Sequence, residues 1–84
     1  MNEYLTRDLH EAAFLCATKQ VLLRLEDEGK FYSFVFSNKQ SCKSLSDDFW
    51  FGKATINAKV FVDALNFLKD LLFSQRNKKD LTNA

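Results

Sequence analysis

Apolar positions along the chain change their spacing several times, and each change marks an element. Leu5, Leu9, Ala12, Ala13 and Cys16 recur at helical intervals, with Phe14 and Leu15 widening the stripe. This predicts a short helix over residues 8–18 with one buried face and Thr6 as its cap. The segments Val21-Leu22-Leu23-Arg24-Leu25-Glu26 and Phe31-Tyr32-Ser33-Phe34-Val35-Phe36 then flank Asp27-Glu28-Gly29-Lys30. Branched and aromatic residues on both sides of a glycine turn read as a β-hairpin. With Glu28 and Gly29 as the loop, Asp27 faces Lys30, and Leu25, Leu23 and Val21 pair with Tyr32, Phe34 and Phe36 on the inner face. Leu22, Arg24, Glu26, Phe31, Ser33 and Val35 fall on the outer face, which is expected to be mixed and partly open. A three-residue loop with a glycine bulge shifts this register.

Beyond the polar stretch 37–41, Cys42, Leu45 and Phe49 recur at i, i+3 and i+7. They predict a second helix over 41–51, stopped by Gly52. Thr55-Ile56 reads as a brief extended piece, and Asn57 as the N-cap of the last helix. Phe61, Ala64, Leu65, Leu68, Leu71 and Leu72 form a wide stripe on a helix of 58–74, opposite Lys59, Asp63, Asn66 and Asp70. Periodicity is lost from residue 74 onward. The expectation is a single α+β two-layer domain over residues 1–75 with a disordered tail over 76–84. Its order is helix, hairpin, helix, short extended piece, long C-terminal helix. The hairpin alone is marginal and is expected to lean on that last helix.

Composition narrows the class. The 84 residues are 46% hydrophobic, with twelve Leu, nine Phe, one Ile, two Gly and no Pro. That is globular composition for one small domain. The net charge of +1 is not the strongly basic balance of a histone-like protein. Charge is nevertheless uneven: residues 1–28 carry a net of −3 and residues 29–84 a net of +4. Cys16 and Cys42 form no CxxC and join no zinc-spaced cluster with the single His10. They read as small buried apolar residues of a reducing compartment. The start Met1-Asn2-Glu3-Tyr4 lacks the basic-then-apolar order of a signal peptide, and no apolar run is long enough for a transmembrane helix. A cytoplasmic protein is expected.

A longer string is also recognisable. Phe34-Val35-Phe36, Leu45, Phe49-Trp50-Phe51-Gly52, Asn57-Ala58, and Phe61 through Ala64-Leu65 to Leu68-Lys69 follow one another. The opening Asp8-Leu9 with Ala12-Ala13-Phe14-Leu15 precedes them. Over residues 6–73 the chain resembles small bacterial and phage proteins grouped as domain-of-unknown-function family 5659. Most matching positions are apolar core positions. The resemblance implies a small cytoplasmic protein, often of mobile elements, with the same order of elements. It brings no activity, cofactor or catalytic residue.

Candidate chemistry is sparse. There is no GxGxxG, GxxxxGK, GxSxG or HExxH. His10 and Glu11 are helix neighbours that point about 100° apart. Cys16 lies six positions from His10, a poor alignment for a Cys–His nucleophile. Asp47-Asp48 lacks the further oxygen ligands that calcium needs. A non-enzymatic protein without cofactor or metal is expected. Surplus apolar residues point instead to protein–protein association, with itself or with a host protein. The candidate contact residues are Trp50, Phe51, Phe67, Phe73, Leu22 and Val35. The alternative is weak nucleic-acid binding, with Lys39, Lys43, Lys53 and Lys59 tracking phosphates beside the aromatic hairpin.

Overall fold

The computed structural model describes residues 2–82, and of residues 78–82 the backbone alone. Six elements follow in the order β1 (Tyr4–Thr6), α1 (Leu9–Ala17), β2 (Leu22–Asp27), β3 (Tyr32–Phe36), α2 (Lys39–Trp50) and α3 (Ala58–Thr82). The strands form one antiparallel sheet in the order β1-β3-β2, with the helices gathered on one face. The fold is α+β, and the expected order of helix, hairpin, helix and long C-terminal helix is present. The N-terminal strand is an addition to it. Leu5, expected on the first helix, instead lies in β1 opposite Val35.

Asp8, not Thr6, caps α1, accepting from the Glu11 amide at 2.8 Å. Thr6 serves one step earlier: its hydroxyl accepts from the Asp8 amide at 3.1 Å and donates to Glu11 Oε1 at 2.6 Å. α1 is not one-sided. Glu11, Ala12, Ala13, Phe14 and Leu15 are all buried in succession, as in a helix surrounded by protein. Phe34 and Phe36 reach it from the sheet, Cys42 from α2 and Leu68 from α3. Thus α3 packs chiefly on α1, and the hairpin meets the C-terminal helix across the shared core rather than along its length.

The hairpin register differs from the sequence expectation. Asp27 faces Tyr32, Glu26 faces Ser33, Leu25 faces Phe34 and Arg24 faces Val35. The turn falls one residue later, at Gly29-Lys30, closed by the Glu28 amide on the Phe31 carbonyl at 2.9 Å. Gly29 takes φ 95°, and its amide donates to Asp27 Oδ1 at 2.8 Å. A bulge between Leu22 and Arg24 then restores Leu22 opposite Phe36. The extra residue keeps both ends of β2 on the core: Leu22 and Leu25 pack inward, while Val21 and Leu23 are exposed.

Two helix ends share one device. Gly52, at φ 73°, follows α2, with the Lys53 amide on the Asp48 carbonyl at 2.9 Å and the Gly52 amide on Phe49 at 3.3 Å. This is the Schellman arrangement, so Gly52 stops the helix as expected. α1 ends likewise, with Lys19 in the left-handed position at φ 74° and the Gln20 amide on the Leu15 carbonyl at 3.0 Å. Asn57 caps α3, accepting from the Lys59 and Val60 amides at 2.9 and 3.2 Å. Thr55-Ile56 forms no strand. α3 continues as helix to Thr82, through most of the segment expected as a tail; Asn83 and Ala84 of that tail, like Met1, lie outside the described residues.

Candidate binding surfaces

The buried polar groups are spoken for. Glu11, only 4% exposed, accepts from the Tyr4 hydroxyl at 2.6 Å through Oε2 and from Thr6 through Oε1. Ser46 Oγ lies 3.1 Å from the Tyr4 oxygen. Tyrosine has one proton to give, so serine is the donor in that pair. The chain Thr6–Glu11–Tyr4–Ser46 ties β1, α1 and α2 together. Burial, reinforced by Glu11, raises the Tyr4 pKa. Among the described residues no buried side-chain nitrogen or oxygen lacks a partner.

This network takes Glu11 away from His10, which is exposed. Cys16 is half-buried, and burial pushes its thiol up to about 11, the wrong direction for a nucleophile. Burial raises the Cys42 thiol as well. Both cysteines are free thiols. Asp47 and Asp48 stand exposed, their carbonyls serving the end of α2. Among the described residues no three His, Cys, Asp or Glu group together to hold a metal ion. No described helix is long and apolar enough to cross a membrane.

Four of the six candidate contact residues stand in solvent. Trp50 is 58% and Phe51 77% exposed at the end of α2. Trp50 is not loose there: its ring meets Phe49 edge-on at 5.1 Å, and Phe49 lies 5.3 Å from Phe14 of the buried α1. Phe67 and Phe73 are 54% and 66% exposed on α3. Six residues apart, they stand about 120° apart around the helix and form two flanks rather than one patch. Phe67 shares its flank with exposed Val60, and Phe73 lies near the azimuth of exposed Val62.

The other two candidates are not available. Leu22 turns inward at the bulge and packs on the core. Val35 does lie on the outer face of the sheet, yet it is 0% exposed. Arg24 and Leu5 flank it on the neighbouring strands. The Arg24 guanidinium also grips Glu3 with two bonds of 2.9 and 3.0 Å and Glu26 with one of 3.0 Å. That bridge runs from β2 to the segment before β1, over the central strand. A long cationic stem laid on apolar surface buries what lies beneath it. The Arg24 bond holds the Glu3 carboxyl below its ordinary pKa.

The four candidate lysines do not converge. Lys39 and Lys43 sit at the start of α2, and Lys53 and Lys59 lie past its end, a helix length of roughly 18 Å away. Lys59 pairs with Asp63 at 3.1 Å. The aromatic turn at Phe31 is at the opposite end of β3 from Lys39, and Phe34 is core.

A different set of cations gathers at that turn. A cleft of about 320 Å³ opens between the hairpin tip, the start of α1 and the later part of α3. Leu9, Phe34 and Leu72 supply apolar wall, with Phe31 and Tyr32 beside them. Among the described residues Arg7, Lys30 and Arg76 line it as cations, against the single carboxylate of Asp27. The Arg7 guanidinium lies over the Phe31 ring, 4.8 Å from its centre. Sequence reasoning pointed to the aromatic hairpin but did not join Arg7 and Arg76 to it, because they come from distant segments. The one local signal was Lys30-Phe31-Tyr32 at a glycine turn. Comparison of the chain with protein-family models, with curated proteins and with solved structures returns no match.

Proposed function

We propose that the chain is a non-enzymatic binding module that acts by protein–protein association, with a second copy or with a host protein. One observation carries this reading: Trp50 and Phe51 stand side by side, more than half exposed, on a helix end fixed by the Gly52 stop and the Phe49–Phe14 contact. Large aromatics on rigid backbone lose little entropy when a partner covers them, and such residues dominate interface energies. The absence of enzyme motifs in the sequence supports a binding role. The family resemblance adds a cytoplasmic setting in a phage or mobile element.

The test is solution mass by light scattering over a concentration series, at low and high salt. Self-association predicts a mass that rises with concentration, ignores salt and falls to the monomer in Trp50→Ala. A wild-type monomer throughout rejects a second copy as the partner. Association that salt abolishes and Trp50→Ala leaves intact overturns the reading, because an apolar contact is not screened.

A further inference from the structure

We infer that the cleft at the hairpin tip binds a nucleotide, with its base against Phe31 and Tyr32 and its phosphate among Arg7, Lys30 and Arg76. The cleft has the size of a small-ligand site. It combines flat apolar walls with a surplus of positive charge, so its ligand has a planar body and an anionic head. Three cations around one opening suit a phosphate, which carries up to two charges and three terminal oxygens, better than a carboxylate. Arg7 already lies over the Phe31 ring, which places a guanidinium plane and an aromatic ring together; both are surfaces on which bases stack.

A phosphotyrosine peptide shares the ring and the phosphate. The cleft favours the nucleotide because the Tyr32 hydroxyl adds a polar group to its wall. A base edge can hydrogen-bond to it and a phenyl ring cannot. The cleft is lined by none of the exposed aromatics of α2, so this inference stands apart from the association proposed above.

The experiment is a two-dimensional amide NMR titration with adenosine 5′-monophosphate, an eight-residue oligo(dA), phosphotyrosine and inorganic phosphate. The expected result is saturable shifts confined to residues near 7–9, 27–32 and 72–76 with the monophosphate. Phe31→Ala, and separately Lys30→Glu with Arg76→Glu, should weaken binding by at least about fivefold. Trp50→Ala should leave it unchanged. All four substituted positions are exposed, and retained amide dispersion confirms that each variant folds. Tighter binding of the oligonucleotide identifies a single strand as the source; equal affinity identifies the free nucleotide. No saturable shift with either, shifts elsewhere, or equal affinity for phosphotyrosine or inorganic phosphate overturns the inference.

Discussion

Glu11 shows how one buried side chain can join three elements. Its two oxygens accept from Tyr4 and Thr6, and Tyr4 carries the link to Ser46 of α2. Removing one partner from such a group strands the others in the interior, at about 1–3 kcal/mol each. Glu11→Leu is therefore expected to destabilise by at least about 2 kcal/mol, more than Tyr4→Phe at about 1 kcal/mol. Urea unfolding of both variants measures this, and a Glu11→Leu loss no larger than that of Tyr4→Phe rejects the network as a unit. Tyr4 and Cys16 also set a pH dependence, to which the raised Cys42 thiol adds in the same direction. Both groups hold their protons more tightly folded than unfolded, Tyr4 by burial and Glu11, Cys16 by burial alone. The unfolded chain thus loses those protons first as pH rises. Stability is fully present below pH 9 and falls above it. The Cys16 part is lost between its ordinary value of 9.0 and about 11. The Tyr4 part begins at 10.0. Thermal melts from pH 8 to 11 should fall, and Cys16→Ala should flatten the first part of that fall; an unchanged slope in the variant removes Cys16 as its source.

At the scale of the element, the two Schellman ends invite substitutions of opposite sign. Gly52 and Lys19 both hold left-handed backbone, but only one is a glycine. A Cβ on Gly52 meets nothing within 4 Å, so steric crowding plays no part and the cost is torsional. That cost is roughly 1–2 kcal/mol, partly offset by the lower unfolded entropy of alanine. Gly52→Ala should lower stability by about 1 kcal/mol, and Lys19→Gly should raise it by about 0.5 kcal/mol. Paired thermal melts check the two signs. The Gly52 stop was legible because a helical stripe ended beside one of only two glycines. The Lys19 stop was not, since lysine carries no turn signal. The hairpin was legible for the same reason as Gly52, but its register was not. The register depends on which residue enters the turn and on a bulge at Leu23, and neither alters the apolar pattern. β1 escaped because three residues are too few to show alternation, and Leu5 fits helical spacing by coincidence.

At the scale of the molecule, packing converted a one-sided helix into a central one and left the longest helix poorly covered. α1 spans 9 residues and α3 spans 25, so α1 cannot sheathe it. The stripe on α3 is legible in its sequence, but how much of the helix has a neighbour depends on the length of α1, which no local pattern on α3 reveals. Exposed aromatics stand in four places: the end of α2, the two flanks of α3, and Phe31 at the hairpin tip. A twofold interface of standard size takes about 800 Å² from each partner, against a total surface of 5907 Å². Phe67 and Phe73, about 120° apart on one helix, cannot both lie at the centre of one flat contact. Trp50 is the sole tryptophan, so its fluorescence reports on the α2 end alone. If that end is the self-association surface, acrylamide quenching of Trp50 should weaken as protein concentration rises, and its emission should shift to the blue. Phe51→Ser should abolish both changes, while Phe73→Ser should leave them intact. Protection that Phe73→Ser removes and Phe51→Ser spares would place the contact on α3 instead. Mass that rises with concentration while quenching stays constant would exclude the α2 end from the contact altogether.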